Sequence, residues 1–184
     1  MMEESAIASE LGFEPLIHHN ELNDLVNSVA ASIASDSKGQ KDIHFLTVME
    51  GAKPFSADLA ARLKSEHGFK VLQDYITVKS YEGTESNGKP RIITPNLFLV
   101  AHRDIILIED IVDTGQTVDF LMSYLKRERA SSIKVATLLS KPSRRKVDVK
   151  IDYCGREIPD HFVIGYGLDL DGKFRGLPDI YKKR

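Results

Sequence analysis

Two adjacent carboxylates, Glu109 and Asp110, close the apolar run Ile105-Ile106-Leu107-Ile108, and shortly after them stands Asp113-Thr114-Gly115-Gln116-Thr117. Ionised carboxylates only accept hydrogen bonds, so the pair suits ribose hydroxyls or a hard divalent cation. The glycine turn offers backbone N–H groups, and Thr114 and Thr117 add hydroxyls, enough to ring a phosphate monoester. Phosphate would be repelled if it met the acids directly. A phosphorylated sugar accompanied by magnesium meets all of these demands. The competing reading is that the acids begin a solvated loop and Thr114 caps a helix, since Thr and Asp are ordinary capping residues. A buried strand, paired acids, a glycine turn and hydroxyls in one frame weigh against it.

Those residues need a scaffold, and the chain supplies one. An apolar run of this length reads as a strand buried on both faces of a parallel sheet. The acids then sit at its carboxyl end, where open α/β sheets bind ligands. The next helix, expected over 118–129, aims its free N–H groups into the same crevice. Leu22, Leu25, Val26, Val29 and Ile33 fall at helical spacing and predict a helix over 21–34 with Asn20 as its N-cap. Further strands are expected at 43–49, 71–78 and 133–139, with a helix through Leu59, Ala60 and Leu63. A polar loop covers 35–41. The stretch 81–90 holds Gly, Ser and Asn without apolar periodicity and reads as a loop, with 91–93 starting a return strand. A short β-rich region ends the chain. Alternating strands and helices predict an α/β fold with a parallel sheet flanked by helices.

Composition narrows the function. The 184 residues suit one domain, 1–184, and 25 basic against 27 acidic residues give no bias toward nucleic acid. The basic runs at 141–146 and 182–184 read as solvated charge. The single Cys154 excludes an intrachain disulfide, agrees with a reducing cytoplasm, and reads as a buried small hydrophobe. No apolar run is long enough for a membrane span, and the start Met1-Met2-Glu3-Glu4-Ser5-Ala6 lacks the basic and hydrophobic parts of a signal peptide. A cytoplasmic protein without membrane or nucleic-acid partners is expected.

Two short motifs compete for attention and fail. Gly165-Tyr166-Gly167 hints at a dinucleotide fingerprint, but the third glycine and the following helix are missing. Asp169-Leu170-Asp171-Gly172 has the D-x-D-G form of aspartate-nucleophile phosphatases, yet only twelve residues follow it.

The segment from Ile105 to Thr117 resembles the phosphoribosyl-pyrophosphate loop of the type I phosphoribosyltransferases: apolar residues, two acids, two apolar residues, then D-T-G-x-T. Val48-Met49-Glu50-Gly51-Ala52-Lys53-Pro54, alone a generic strand-to-helix turn, is similar to the pyrophosphate loop of the hypoxanthine-guanine branch, in which a non-proline cis peptide precedes the glycine. That bond would be Met49–Glu50. The branch often carries a basic residue where this chain has Glu50, and Lys53 stands nearby. Glu157-Ile158-Pro159-Asp160-His161-Phe162-Val163-Ile164-Gly165-Tyr166-Gly167-Leu168-Asp169 resembles its purine-binding hood, and the likeness covers 48–177.

The resemblance implies a type I phosphoribosyltransferase fold with a small hood formed mainly by about 143–184. It implies purine salvage: transfer of the 5-phosphoribosyl group from phosphoribosyl pyrophosphate to N9 of hypoxanthine, and of guanine, giving the nucleoside monophosphate and pyrophosphate. Asp113 would handle the purine proton. Glu109, Asp110, Asp113, Thr114, Gly115, Gln116 and Thr117 would bind the phosphoribosyl group, and Glu50, Gly51 and Arg175 the pyrophosphate. Lys141 would recognise O6, Phe162 would stack on the base, Val163 would read its edge, and Asp169 would belong both to the purine site and, with Glu109 and Asp110, to the magnesium site. Ser80 and Tyr81 would belong to a lid, which such a reaction needs because water would capture a sugar cation. The partners implied are phosphoribosyl pyrophosphate and a 6-oxopurine, and the assembly a homodimer or homotetramer. A xanthine-preferring enzyme and a regulatory protein that senses phosphoribosyl pyrophosphate share the same motifs.

Overall fold

Alternation along the central strands sets the architecture. The computed structural model describes residues 2–83, 86–93 and 100–184. In chain order these form α1 (Met2–Glu10), β1 (Phe13–Ile17), α2 (His19–Asp36), β2 (Asp42–Met49), α3 (Lys53–His67), β3 (Lys70–Gly83), β4 (Ser86–Ile92), β5 (Asp104–Val112), α4 (Gln116–Arg127), β6 (Ser132–Ser140), β7 (Tyr153–Glu157), β8 (Val163–Ile164) and β9 (Ile180–Lys183). One sheet runs β4-β3-β2-β5-β6-β7, parallel except for β4, which pairs antiparallel with β3. Ile106 and Ile108 of β5 pack into the cluster built with α2 and α3, while Ile105 and Leu107 join the cluster built with α4. Both faces are covered, which is why the strand reads as an unbroken apolar run. The strand continues through Val112, so Glu109 and Asp110 lie inside its carboxyl-terminal part.

A second, three-stranded sheet of order β1-β9-β8 stands beyond the carboxyl edge of the first. Its own apolar cluster is Ala8, Phe13, Ile164, Phe174, Leu177 and Tyr181. The expected hood residues supply β8 and β9, but the edge strand and the covering helix come from the N-terminus. Phe13-Glu14-Pro15-Leu16-Ile17 is too short and too interrupted to carry a strand signal by itself, and Pro15 is tolerated because β1 is an edge.

Three expectations are corrected. The stretch 81–90 is largely a paired hairpin, with Ser80 opposite Pro90. Gly88 and Pro90 disfavour strand, yet pairing to β3 overrides composition on an edge where proline does little harm. Ser80 and Tyr81 therefore lie in β3, and their side chains fall outside the described residues. Cys154 is exposed rather than buried: β7 is the other edge of the large sheet, its Tyr153 turns inward, and Cys154 takes the alternate, outward position. Asn20 lies within α2, and His18 occupies the N-cap without a side-chain bond.

The first free N–H of α2 is satisfied from far away. His19 N–H donates to Asp179 Oδ1 at 2.7 Å, tying the helix to the segment that leads into β9. A carboxylate there also favours the positive end of the helix dipole. Asp179→Ala is expected to lower the unfolding free energy by about 1 kcal/mol in a urea titration, whereas Asp179→Asn, which keeps the acceptor, loses little. Equal losses would show that capping is not what Asp179 contributes. No helix among the described residues is long and apolar enough to cross a membrane.

Candidate active site

The turn after β5 forms a small hollow of about 80 Å³ lined by Glu109, Ile111, Val112, Asp113, Thr114, Gly115, Thr117 and Val118. Gly115 has φ 83°, and a Cβ there would come within 2.8 Å of the Val147 carbonyl oxygen, so both the turn and the close packing behind it require glycine. Gln116 opens α4 and turns its side chain back to accept from the Thr114 hydroxyl at 3.3 Å. The loop's carbonyls, which would repel an anion, are occupied from behind. Arg145 Nη1 donates to the Val112 carbonyl at 2.6 Å and also to that of Asp113, while Nη2 donates to Ser140 Oγ at 2.9 Å. The amides of Lys146 and Val147 donate to the Thr114 carbonyl at 2.9 and 3.2 Å. Part of the basic run 141–146 is thus structural rather than solvated. Arg145 is a residue that sequence reasoning missed, because a guanidinium serving backbone carbonyls looks the same in sequence as a surface charge.

Beside this lies a larger hollow of about 260 Å³, lined by Asp110, Ile111, Asp113, Lys141, Phe162, Val163, Leu168 and Asp169. The Phe162 ring is 50% exposed, with the tilted ring of Phe13 behind it at a centroid distance of 6.1 Å. A half-covered aromatic face at a cavity wall suits stacking by a flat ligand. Lys141 is only 6% exposed. Its backbone N–H donates to the Val112 carbonyl at 2.9 Å, and its ammonium lies 4.0 Å from Asp113 and 3.8 Å from Asp160. Arg144 bridges the same two acids, at 3.1 Å from Asp113 and 3.5 Å from Asp160. Ile111 and Asp113 line both hollows, so the two spaces meet at these residues.

The turn between β2 and α3 completes the site. The Met49–Glu50 peptide is cis, and the Glu50 side chain is exposed. Gly51 stands directly against Asp110: a Cβ would fall 1.7 Å from Asp110 Oδ2. On its other side, a Cβ on Gly167 would fall 2.0 Å from the Gly51 carbonyl oxygen. Arg175 spans from the Gly167 carbonyl, at 2.8 Å, to Asp169, also at 2.8 Å. Asp169 accepts in addition from the Gly172 amide at 2.6 Å. Among the described residues no three His, Cys, Asp or Glu side chains converge as a ready metal cage. The structure therefore gathers the expected residues of the β5, β6 and hood segments with Gly51 and Arg175, and leaves Ser80 and Tyr81 undecided.

The phosphoribosyl transferase domain model matches residues 16–171. The chain belongs to this family. It is 39% identical over 166 residues to the hypoxanthine-guanine phosphoribosyltransferase of Bacillus subtilis, covering 90% of this chain and 89% of that protein. It is 36% identical over 166 residues to the bifunctional protein TilS/HprT of Listeria monocytogenes, of whose length it spans 25%. A crystal structure of a Bacillus anthracis hypoxanthine-guanine phosphoribosyltransferase superposes with a TM-score of 0.85 at 35% identity, covering 93% of this chain and 98% of that one. The fold is that of a type I phosphoribosyltransferase.

Within this phosphoribosyltransferase fold the acid pair is held at a cost. Glu109 is 9% exposed, and its Oε2 is buried without a partner among the described residues. Burial, and then the neighbouring Asp110, push its carboxyl well above the ordinary range. Burial likewise lifts Asp110 up to about 6, against the pull of the Ile111 amide at 2.8 Å and of Arg175. A carboxyl whose folded pKa is raised binds its proton more tightly folded than unfolded. Stability is therefore lost as pH rises from near 4 through 6, and the penalty persists above that. In the metal-free protein, Asp110→Asn is expected to raise Tm at pH 8, with the gain vanishing below pH 4. An equal change in Tm at both pH values would rule out ionisation as its source.

Proposed function

We propose that this chain is a 6-oxopurine salvage enzyme that moves the 5-phosphoribosyl group of phosphoribosyl pyrophosphate to N9 of hypoxanthine and of guanine, releasing pyrophosphate. The observation that carries this reading is the meeting of an anion-sized and a base-sized hollow at Ile111 and Asp113. A base in one and a 5-phosphate in the other bring purine N9 and ribose C1 together beside Asp113. The names of the Bacillus relatives support the choice of bases.

The reaction forms the N9–C1 bond as the bond from C1 to pyrophosphate oxygen breaks, the bonding electrons leaving with pyrophosphate and the purine losing a proton. Positive charge grows on the ribose ring and negative charge on the leaving group. Groups that meet these charges more strongly in the transition state than before it accelerate the step. Thr114, Gly115, Gln116 and Thr117 anchor the 5-phosphate. Asp113 receives the purine proton. Lys141, a donor, pairs with a 6-oxo oxygen and meets a 6-amino group donor to donor. Phe162 stacks on the base and the Val163 backbone reads its edge. Glu50, Gly51 and Arg175 form the pyrophosphate end, and Ser80 and Tyr81 the lid.

Magnesium fits the end of β5 at Asp110. An acid beneath Gly51 with Asp169 on the same wall offers hard oxygen donors, and this ion takes one or two carboxylates and draws its other ligands from water and substrate phosphates. Asp110 would hold it with Asp169 nearby, Glu109 standing on the opposite face of the strand, and when bound it would neutralise charge on the departing pyrophosphate. The cytoplasmic setting and a homodimer or homotetramer belong to the same proposal and rest on the family resemblance.

The test is a spectrophotometric assay with phosphoribosyl pyrophosphate, magnesium and hypoxanthine, guanine, xanthine or adenine in turn. Turnover of hypoxanthine and guanine with no adenine reaction is expected. Binding of phosphoribosyl pyrophosphate without turnover of any base would replace the enzyme by a sensor of that metabolite, and a clear lead for xanthine would change the substrate. Asp113→Asn is expected to lower kcat on the order of 100-fold with little change in either KM. Wild-type kcat would remove Asp113 from proton transfer. Lys141→Ala should raise the KM for hypoxanthine at least on the order of tenfold and narrow the margin over adenine. Unchanged base selectivity would show that O6 is read by another group.

A further inference from the structure

Gly165-Tyr166-Gly167 lacks the third glycine and helix of a dinucleotide fingerprint, yet its backbone is unusual. All three residues have positive φ, 97°, 48° and 98°. Glycine adopts this region freely, but a bulky residue such as tyrosine does so only where its surroundings hold it. The turn is closed by the Gly165 amide on the Leu168 carbonyl at 2.9 Å, and the Leu168 amide returns to the Gly165 carbonyl at 3.1 Å. The Tyr166 ring is 8% exposed, and its hydroxyl donates to Asp58 Oδ2 at 2.5 Å, joining positions 108 residues apart.

What the turn touches gives this bond its meaning. Gly167 abuts the Gly51 carbonyl and the ring of Pro54, its missing Cβ leaving 2.0 and 3.0 Å respectively. Pro54 and Asp58 lie one helical turn apart on a shared face of α3. The hood therefore meets the start of α3 at two points, Gly167 against the glycine loop and Tyr166 on Asp58. The same turn carries the Gly167 carbonyl that holds Arg175, which in turn holds Asp169. Moving the turn would shift Gly51, Arg175 and Asp169 relative to one another. Leu168 and Asp169 also line the base-sized hollow, but its stacking face and its cation hang on other supports: Phe162 rests on Phe13, and Lys141 is fixed to the Val112 carbonyl.

We propose that Tyr166 and Asp58 are positioning residues for the pyrophosphate end of the site, a tie that sets affinity for the pyrophosphate-bearing substrate far more than for the purine. This inference rests on the phosphoribosyl transfer reading. Tyr166→Phe keeps the buried ring and removes only the hydroxyl. It is expected to raise the KM for phosphoribosyl pyrophosphate, and its calorimetric Kd, on the order of tenfold, the size of a charge-assisted hydrogen bond. The KM for hypoxanthine should stay within about twofold. Asp58→Ala should reproduce this pattern. Asp58→Asn, which still accepts the hydroxyl through a neutral and weaker bond, should fall between wild type and Asp58→Ala.

A purely structural bond would lower Tm in Tyr166→Phe and Asp58→Ala and leave both substrate affinities unchanged, and that result would overturn the proposal. Equal rises for both substrates would overturn it as well. The calorimetric comparison needs no turnover. A wild-type protein that binds phosphoribosyl pyrophosphate but transfers it to no purine would sink the transfer reading, while the Kd ratio would still decide for or against the tie. Absence of binding in the wild type would overturn both.

Discussion

The pleat of β5 carries two acids in its carboxyl-terminal part, beyond its buried apolar run, and sends them to opposite sides. Successive side chains on a strand point to opposite faces. Ile105 and Leu107 face the α4 cluster and Ile106 and Ile108 the α2 and α3 cluster. Continuing the alternation, Glu109 reaches the hollow of the Asp113–Thr117 turn and Asp110 the wider hollow beneath the hood. One strand end thus serves two compartments, and adjacency in sequence keeps Asp110 close enough to raise the proton affinity of Glu109. Burying like charges side by side is unfavourable unless something offsets it. The surrounding loops can be understood as consequences of that constraint.

The first consequence is the pair of glycines beside Asp110. Gly51 stands against its carboxylate and Gly167 against the Gly51 carbonyl, each at a spacing where one extra carbon would collide with a neighbour. The loops that follow β2 and β8 can then approach to backbone contact next to the end of β5. The second consequence is that the Asp113–Thr117 turn must hold its shape without help from the acids. It does so through Arg145, whose guanidinium gathers the carbonyls of Val112 and Asp113 and the Ser140 hydroxyl. A planar fork with several donors suits three acceptors arranged around it better than a single ammonium would.

Much of this was legible in the sequence where chemistry and periodicity coincide. The β5 run with its acids, the glycine turn and the following helix all lie in one stretch of chain, so local pattern and function reinforce each other. Legibility failed where the decisive partner is distant. Phe13 backs Phe162, and Asp179 caps α2, across most of the chain's length. No local signal marks β1, because a five-residue edge strand containing proline draws its stability from β9. The hairpin of β3 and β4 was obscured by Gly and Pro, whose preferences yield to cross-strand pairing. Cys154 was misplaced because a residue's type gives its average burial and not the face of the strand on which it falls.

The charges around Asp113 add a final step. Lys141 and Arg144 both lie between Asp113 and Asp160, forming a ring of two acids and two cations at the mouth of the larger hollow. Lys141 is buried and Arg144 is about half exposed, so solvent screens the arginine contacts far more than the lysine ones. A buried ammonium that left its acids for nothing would face a heavy desolvation penalty. Under the proposed function, a purine carbonyl entering the hollow would give it an acceptor, so Lys141 would engage the base without being stranded. A base that offers a donor at that point provides no such exchange. Selectivity would then come as much from what Lys141 must give up as from the bond it gains.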